Sequence, residues 1–183
     1  VQCGVDEAQT LVLSTGIIGE FLPMDRIAEG ISTAAARLAA SQEALVLAAR
    51  GIMTTDTIHK LVSRQVELGG QTITLCGMAK GAAMIGPNMA TMLSVIMTDA
   101  KLGAEELHIM LRHAVNQSFN CISVEGHTST SDTVTLMASG VVDVGPLNDS
   151  QRSGMQVAIT EVAEELARSI ISDAEGADHL ITI

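Results

Sequence analysis

The sequence predicts a layered α/β or α+β fold, because three helix-periodic stretches and four short β-like runs alternate along the chain. The first helical stretch covers 25–50, with Ile27, Ile31, Ala34, Ala35, Leu38 and Ala39 on one stripe. The second covers 103–119, where Leu107, Met110, Leu111 and Ala114 recur at helical spacing. The third covers 150–170 and keeps Met155, Ile159, Val162, Ala163, Leu166 and Ile170 in register, with Asn148 or Asp149 as its expected cap. The β-like runs are 72–77, 92–98, 133–138 and 179–183. Because the chain stops inside the last of these, more polypeptide is expected to complete its sheet.

Composition narrows the class. A chain of 183 residues with 47% hydrophobic and 17% charged residues has the makings of one domain with a real core. It has no Trp, no Tyr and only Phe21 and Phe119, so aliphatic residues and ten Met must fill that core. With a net charge of -11 and almost no aromatic surface, nucleic-acid binding is excluded as an expectation. Cys3, Cys76 and Cys121 are odd in number and lack CxxC spacing, which points to no disulfide framework, no zinc and a reducing, cytoplasmic setting. Neither an initiator Met nor a signal-peptide pattern opens the chain, so a fragment or processed product is expected. The uncharged run 81–98 is broken by Gly81, Gly86, Pro87 and Asn88, which argues against a membrane span.

The segment 77–93, Gly-Met-Ala-Lys-Gly-Ala-Ala-Met-Ile-Gly-Pro-Asn-Met-Ala-Thr-Met-Leu, is the most informative. It is rich in small residues, carries one cation, Lys80, and runs into a β-like stretch beginning at Thr91. That layout suits an N-terminal nucleophile. A loop strains a peptide bond, and a strand then holds the freed hydroxyl. An internal Thr has no base of its own, whereas a Thr at a chain start has its α-amino group, of ordinary pKa about 7.7–8.0. Spacing alone favours the plainer reading of a glycine-rich turn before a core strand.

Residue identity points further. The segment resembles the processing site of the ornithine acetyltransferase family, also called glutamate N-acetyltransferase, whose members cleave themselves at an Ala-Thr bond. Further blocks agree in order: Ser14-Thr15-Gly16-Ile17-Ile18-Gly19-Glu20, Gly51-Ile52-Met53-Thr54-Thr55-Asp56-Thr57, the stretches 118–120, 122–124 and 128–130, and the turn at Glu175-Gly176-Ala177. The resemblance implies a sandwich of helices over stacked β-sheets, similar in its layers to N-terminal nucleophile hydrolases. It makes residues 1–183 the central part of one self-cleaving acyltransferase domain, with the family's N- and C-terminal portions missing.

The same resemblance implies cleavage between Ala90 and Thr91, Thr91 as nucleophile, and Thr15 with Gly16 as the oxyanion hole. It also implies contacts to an amino-acid substrate from Thr54 or Thr55, Lys80, Thr91 and Glu175. The implied reaction moves an acetyl group from N2-acetylornithine to glutamate in arginine biosynthesis, through an acetyl-Thr91 ester. An amidohydrolase or aminopeptidase on the same scaffold, or an uncleaved non-catalytic homologue, are the rival expectations. No cofactor is required; acetyl-CoA is a possible alternative donor, and the two cleaved chains are expected to assemble as a heterotetramer. The chain departs from the family pattern at Ala82, Ala83, Cys121, Glu125 and His127.

Other constellations are weak. His108 and His113 are five apart, not the four that puts two ligands on one helix face, and no metal site is expected. The cluster Glu161, Glu164 and Glu165 reads as the wet face of a helix.

Overall fold

A computed structural model of the chain describes residues 3–86, 92–127 and 129–183. Its elements are α1 (Met24–Ala35), α2 (Gln42–Gly51), β1 (Lys60–Leu68), β2 (Gln71–Lys80), β3 (Leu93–Ala100), α3 (Ala104–Gln117), β4 (Thr133–Val142) and α4 (Asp149–Ser172), with short 3-10 turns at Glu7–Gln9 and Phe119–Cys121. The strands form one sheet in the order β1-β2-β3-β4. The first three are antiparallel neighbours, and β4 returns parallel to β3 after α3.

The α/β class and the helix-on-sheet layering agree with the sequence. α4 lies across β1 and β2, while α3 packs on α4 and against β4. The core between them joins Ile73, Leu75 and Ala79 of β2 and Ile96 of β3 to Met155, Ile159, Val162, Leu166 and Ile170 of α4. Gly77 is what lets α4 lie so near. A Cβ there would sit 2.7 Å from Val162 Cγ1 and 2.8 Å from Leu166 Cδ1. The opposite face presents the half-buried Cys76, Met78, Val95 and Met97, and α2 touches β1 and β2. The described residues thus supply one sheet of the expected stack.

Element by element there are differences. The stretch 25–50 is two helices, because Ser41 caps a new one by accepting the Ala44 N–H at 3.1 Å. Strand β1 was not expected. It faces α4 through Val62 and Leu68 and meets β2 across the two-residue turn Gly69-Gly70, where both φ angles are positive (+59° and +78°). The run 179–183 forms no strand; its residues are exposed and have no pairing neighbour among the described residues. The α4 cap is Asn148, which accepts the Gln151 N–H while the Gln151 side chain accepts the Asn148 N–H, both at 2.9 Å.

Candidate functional site

Strand register lines up three chain segments at one end of the sheet. Lys80 closes β2 opposite Leu93, which opens β3, and Leu93 in turn lies beside Thr133, which opens β4. Gly81, Met92 and Asp132 are the next residues outward. The Met92 N–H donates to Asp132 Oδ1 at 2.8 Å, and the Thr133 N–H donates back to the Met92 carbonyl at 3.1 Å. On the upstream side, the Ile85 N–H donates to Glu125 Oε1 at 3.0 Å and its carbonyl accepts from Val124 at 2.8 Å. Gly86 sits so close to Gly126 that a Cβ would approach its backbone to 3.1 Å. Residues 85–86 and 92, which flank 87–91, are thus each held by backbone or carboxylate bonds. Ala90 and Thr91, the predicted cleavage pair and nucleophile, lie outside the described residues, as does Thr128.

Lys80 is 2% exposed. Burial holds its ammonium below the usual lysine range, with Lys60 adding to the depression and Asp56 and Asp132 opposing it. Asp132 is shifted the other way: burial raises its carboxyl, against the Met92 N–H, Lys80 and the Ser129 hydroxyl. Lys80 and Asp132 are thus two partly desolvated groups of opposite charge that influence each other without a direct bond. Sites that bind and react with charged molecules are often built this way.

Beneath Lys80 lies a second charged group. Lys60 Nζ donates to Asp56 Oδ1 at 2.7 Å and to Asp173 Oδ2 at 2.6 Å, with side-chain exposures of 0%, 0% and 4%. Asp56 also accepts the Gly81 N–H at 2.7 Å and the Thr54 N–H at 3.1 Å. Asp173 accepts the Thr57 N–H at 3.0 Å and the Thr57 hydroxyl. Burial pushes both carboxyls up, yet these bonds outweigh it and hold both below the usual carboxylate range. Two residues past Asp173, the Glu175 N–H donates to the Ala82 carbonyl at 2.7 Å.

The predicted substrate contacts are thus brought together by backbone and by buried charge: the Thr54-Thr55 loop, Lys80 and the Glu175 turn meet at one end of β2. Thr15 and Gly16 are not joined to this group by any hydrogen bond among the described residues. They lie between the first 3-10 turn and α1, Thr15 half-buried and Gly16 exposed. Asp56, Lys60, Asp132 and Asp173 were not singled out from sequence. Asp56 lies within the 51–57 block, whereas no local pattern marks Lys60, whose strand is itself unannounced by the sequence. Among the described residues no set of His, Cys, Asp and Glu is arranged to hold a metal, and no helix is long and apolar enough to cross a membrane. Cys3, Cys76 and Cys121 are free, and burial pushes the Cys76 thiol up. A cavity of about 620 Å³ between α3 and α4, lined by Glu106, Met110, Arg152 and Gln156, contains none of the predicted residues.

A helix-covered sheet whose strand ends gather a buried lysine and a carboxylate defines an α/β protein with a candidate site at one sheet end. The chain belongs to the ArgJ family, which it matches over residues 1–183. It is 44% identical over 186 residues to "Arginine biosynthesis bifunctional protein ArgJ, mitochondrial" of Aspergillus clavatus, covering 98% of this chain and 41% of that one. The Schizosaccharomyces pombe protein of the same name is 40% identical over 176 residues, covering 95% and 40%. The chain thus spans about two fifths of the length of these relatives. A solved structure, the L-aminopeptidase D-Ala-esterase/amidase of Ochrobactrum anthropi, described as a variant of the Ntn hydrolase fold, aligns with 69% of this chain and 45% of its own at 18% identity and a TM-score of 0.45.

Proposed function

We propose that the chain is the central part of an acetyltransferase of arginine biosynthesis that cuts itself between Ala90 and Thr91 and then passes an acetyl group through the Thr91 hydroxyl. The observation that carries this reading is the anchoring of residues 85–86 and 92 on either side of the Ala90-Thr91 bond, beside buried Lys80. A nucleophile at the head of a strand needs its next residue immobile, and the Asp132 bond to Met92 does that.

In the first half-reaction the Thr91 hydroxyl attacks the acetyl carbonyl of N2-acetylornithine. Its proton passes to the Thr91 α-amino group and on to the leaving amine, the amide C–N bond breaks and an ester forms. In the second, the glutamate amine attacks that ester, an amide forms and the Thr91 hydroxyl is restored. Thr15 and Gly16 supply the hydroxyl and N–H for the developing oxyanion, a contribution of several kcal/mol. Lys80 meets the substrate α-carboxylate and Glu175 an ammonium, with Thr54 or Thr55 alongside. One amide replaces another, so the reaction runs near equilibrium. Acetyl-CoA is an alternative donor and no cofactor takes part. The working form is the two cleaved chains paired as a heterotetramer in the cytosol, a location resting on the three unpaired cysteines; the fungal relatives are named as mitochondrial.

The test is acetylornithine supplied alone to the full-length protein. One equivalent of ornithine per site, rising to continuous release only when glutamate is added, is expected. Continuous release without glutamate would instead make water the acceptor and the protein a hydrolase. An intact single chain with no release would indicate a non-catalytic homologue.

A further inference from the structure

Resting on that acyl-transfer reading, we propose that Lys60 is a positioning residue: with Asp56 and Asp173 it locks the three segments that contact the amino-acid substrate into one rigid unit. The bonding pattern carries the inference. Lys60 bridges two carboxylates, and each carboxylate spends its remaining capacity on backbone N–H groups of a different segment. Asp56 ties the Thr54 loop to Gly81, the residue after Lys80. Asp173 ties α4, and with it the Glu175 turn, to Thr57. The Glu175 N–H bond to Ala82 closes the ring back onto the loop after Lys80.

Stability alone does not account for such a group. A buried ion set is commonly matched or bettered by apolar residues of the same volume. What an apolar set cannot do is accept the Gly81, Thr54 and Thr57 N–H groups while fixing their relative places. Amino-acid recognition needs that accuracy, since a cation and an anion must meet the two charges of one small zwitterion at once. The lock bonds only the 54–57 loop, the residues after Lys80 and the end of α4 with the turn that follows it. It therefore acts on recognition of the amino acid and leaves the acetyl chemistry alone.

The test uses the full-length protein with Asp173→Asn, which keeps an acceptor for Thr57 but removes the charge facing Lys60, and Lys60→Met as the stronger variant. Each is compared with wild type by hydrogen exchange, by KM for N-acetylornithine and glutamate, and by acetyl release from p-nitrophenyl acetate, a donor without an amino-acid moiety. The expected result is joint loosening of the segments around 54–57, 80–82 and 173–177, with amino-acid KM raised roughly tenfold or more and aryl-ester turnover changed less than about twofold. Should Lys60→Met fail to fold, Asp173→Asn alone decides. Unchanged amino-acid KM, parallel loss of both activities, or loosening confined to the altered segment would overturn the proposal. A wild-type protein that transfers no acetyl group sinks the functional reading instead, and joint or separate loosening still decides whether the three segments are locked together.

Discussion

Met92 gives its backbone N–H to the Asp132 carboxylate at 2.8 Å, so the residue entering β4 holds the chain one position downstream of Thr91. Asp132→Ala removes that acceptor and leaves the donor of a fully buried residue without its partner, a loss of about 1–3 kcal/mol. Slower self-cleavage and a lower melting temperature are expected. Asp132→Asn, which still offers a carbonyl oxygen, should recover most of the stability. Band intensities on a denaturing gel over time, with a thermal melt, check both.

Acid should weaken the fold through Asp56 and Asp173. Both carboxyls titrate below the ordinary value of 3.8 in the folded chain, so as pH falls the unfolded chain takes up protons first. Their contribution is fully present well above that value and is lost as pH falls from it through the lower folded values. Asp132 works in the opposite sense: its raised carboxyl makes the folded chain the better proton acceptor, and its stability cost appears as pH rises past 3.8. Melting temperatures followed downward from pH 6 should therefore fall less steeply in Asp56→Asn/Asp173→Asn than in wild type. Curves of equal slope would show that these two groups do not govern acid stability.

The hydroxyl of Thr91 is tested by separating cleavage from transfer. Thr91→Ala should leave a whole, inactive chain, and Thr91→Ser should keep part of both activities, since the lost methyl frees the rotamer that aims the oxygen. Co-expressing two pieces, the second beginning at residue 91 as Thr or Ala, removes the need for cleavage. Only the Thr version should gain the mass of an acetyl group; equal transfer by both would rule the hydroxyl out.

Thr15→Ala should lower kcat by about 10²–10³ and leave binding nearly intact, as is typical when one oxyanion donor is lost. Weaker binding at unchanged kcat would make Thr15 a substrate contact instead.

Much of the architecture was legible because α3 and α4 bury their apolar stripes and so keep helical period, as Met155, Ile159, Val162 and Leu166 show. β1 was hidden because its core-facing register opens with Lys60, a charge buried only by virtue of partners at positions 56 and 173. No local pattern announces a pairing across 113 residues. The break near Ser41 was missed for the opposite reason: alanines continue the helical composition through it, and a single cap bond decides the matter. Lys80 and the Glu175 turn were found through resemblance, but the distance between them along the chain concealed that the Glu175 N–H closes onto Ala82.

The connection between β2 and β3 is not a hairpin turn, although Lys80 and Leu93 at its two ends are already ladder partners. Six paired positions, from Leu75 with Thr98 to Lys80 with Leu93, hold those strands together, and α4 covers them. Severing the backbone between Gly86 and Met92 would break none of these pairings. It would turn one polypeptide into two that remain interlocked like the halves of a circularly cut protein, separable only by unfolding. Met92 would keep its place because Asp132 and Thr133 supply the restraint that the upstream chain no longer does.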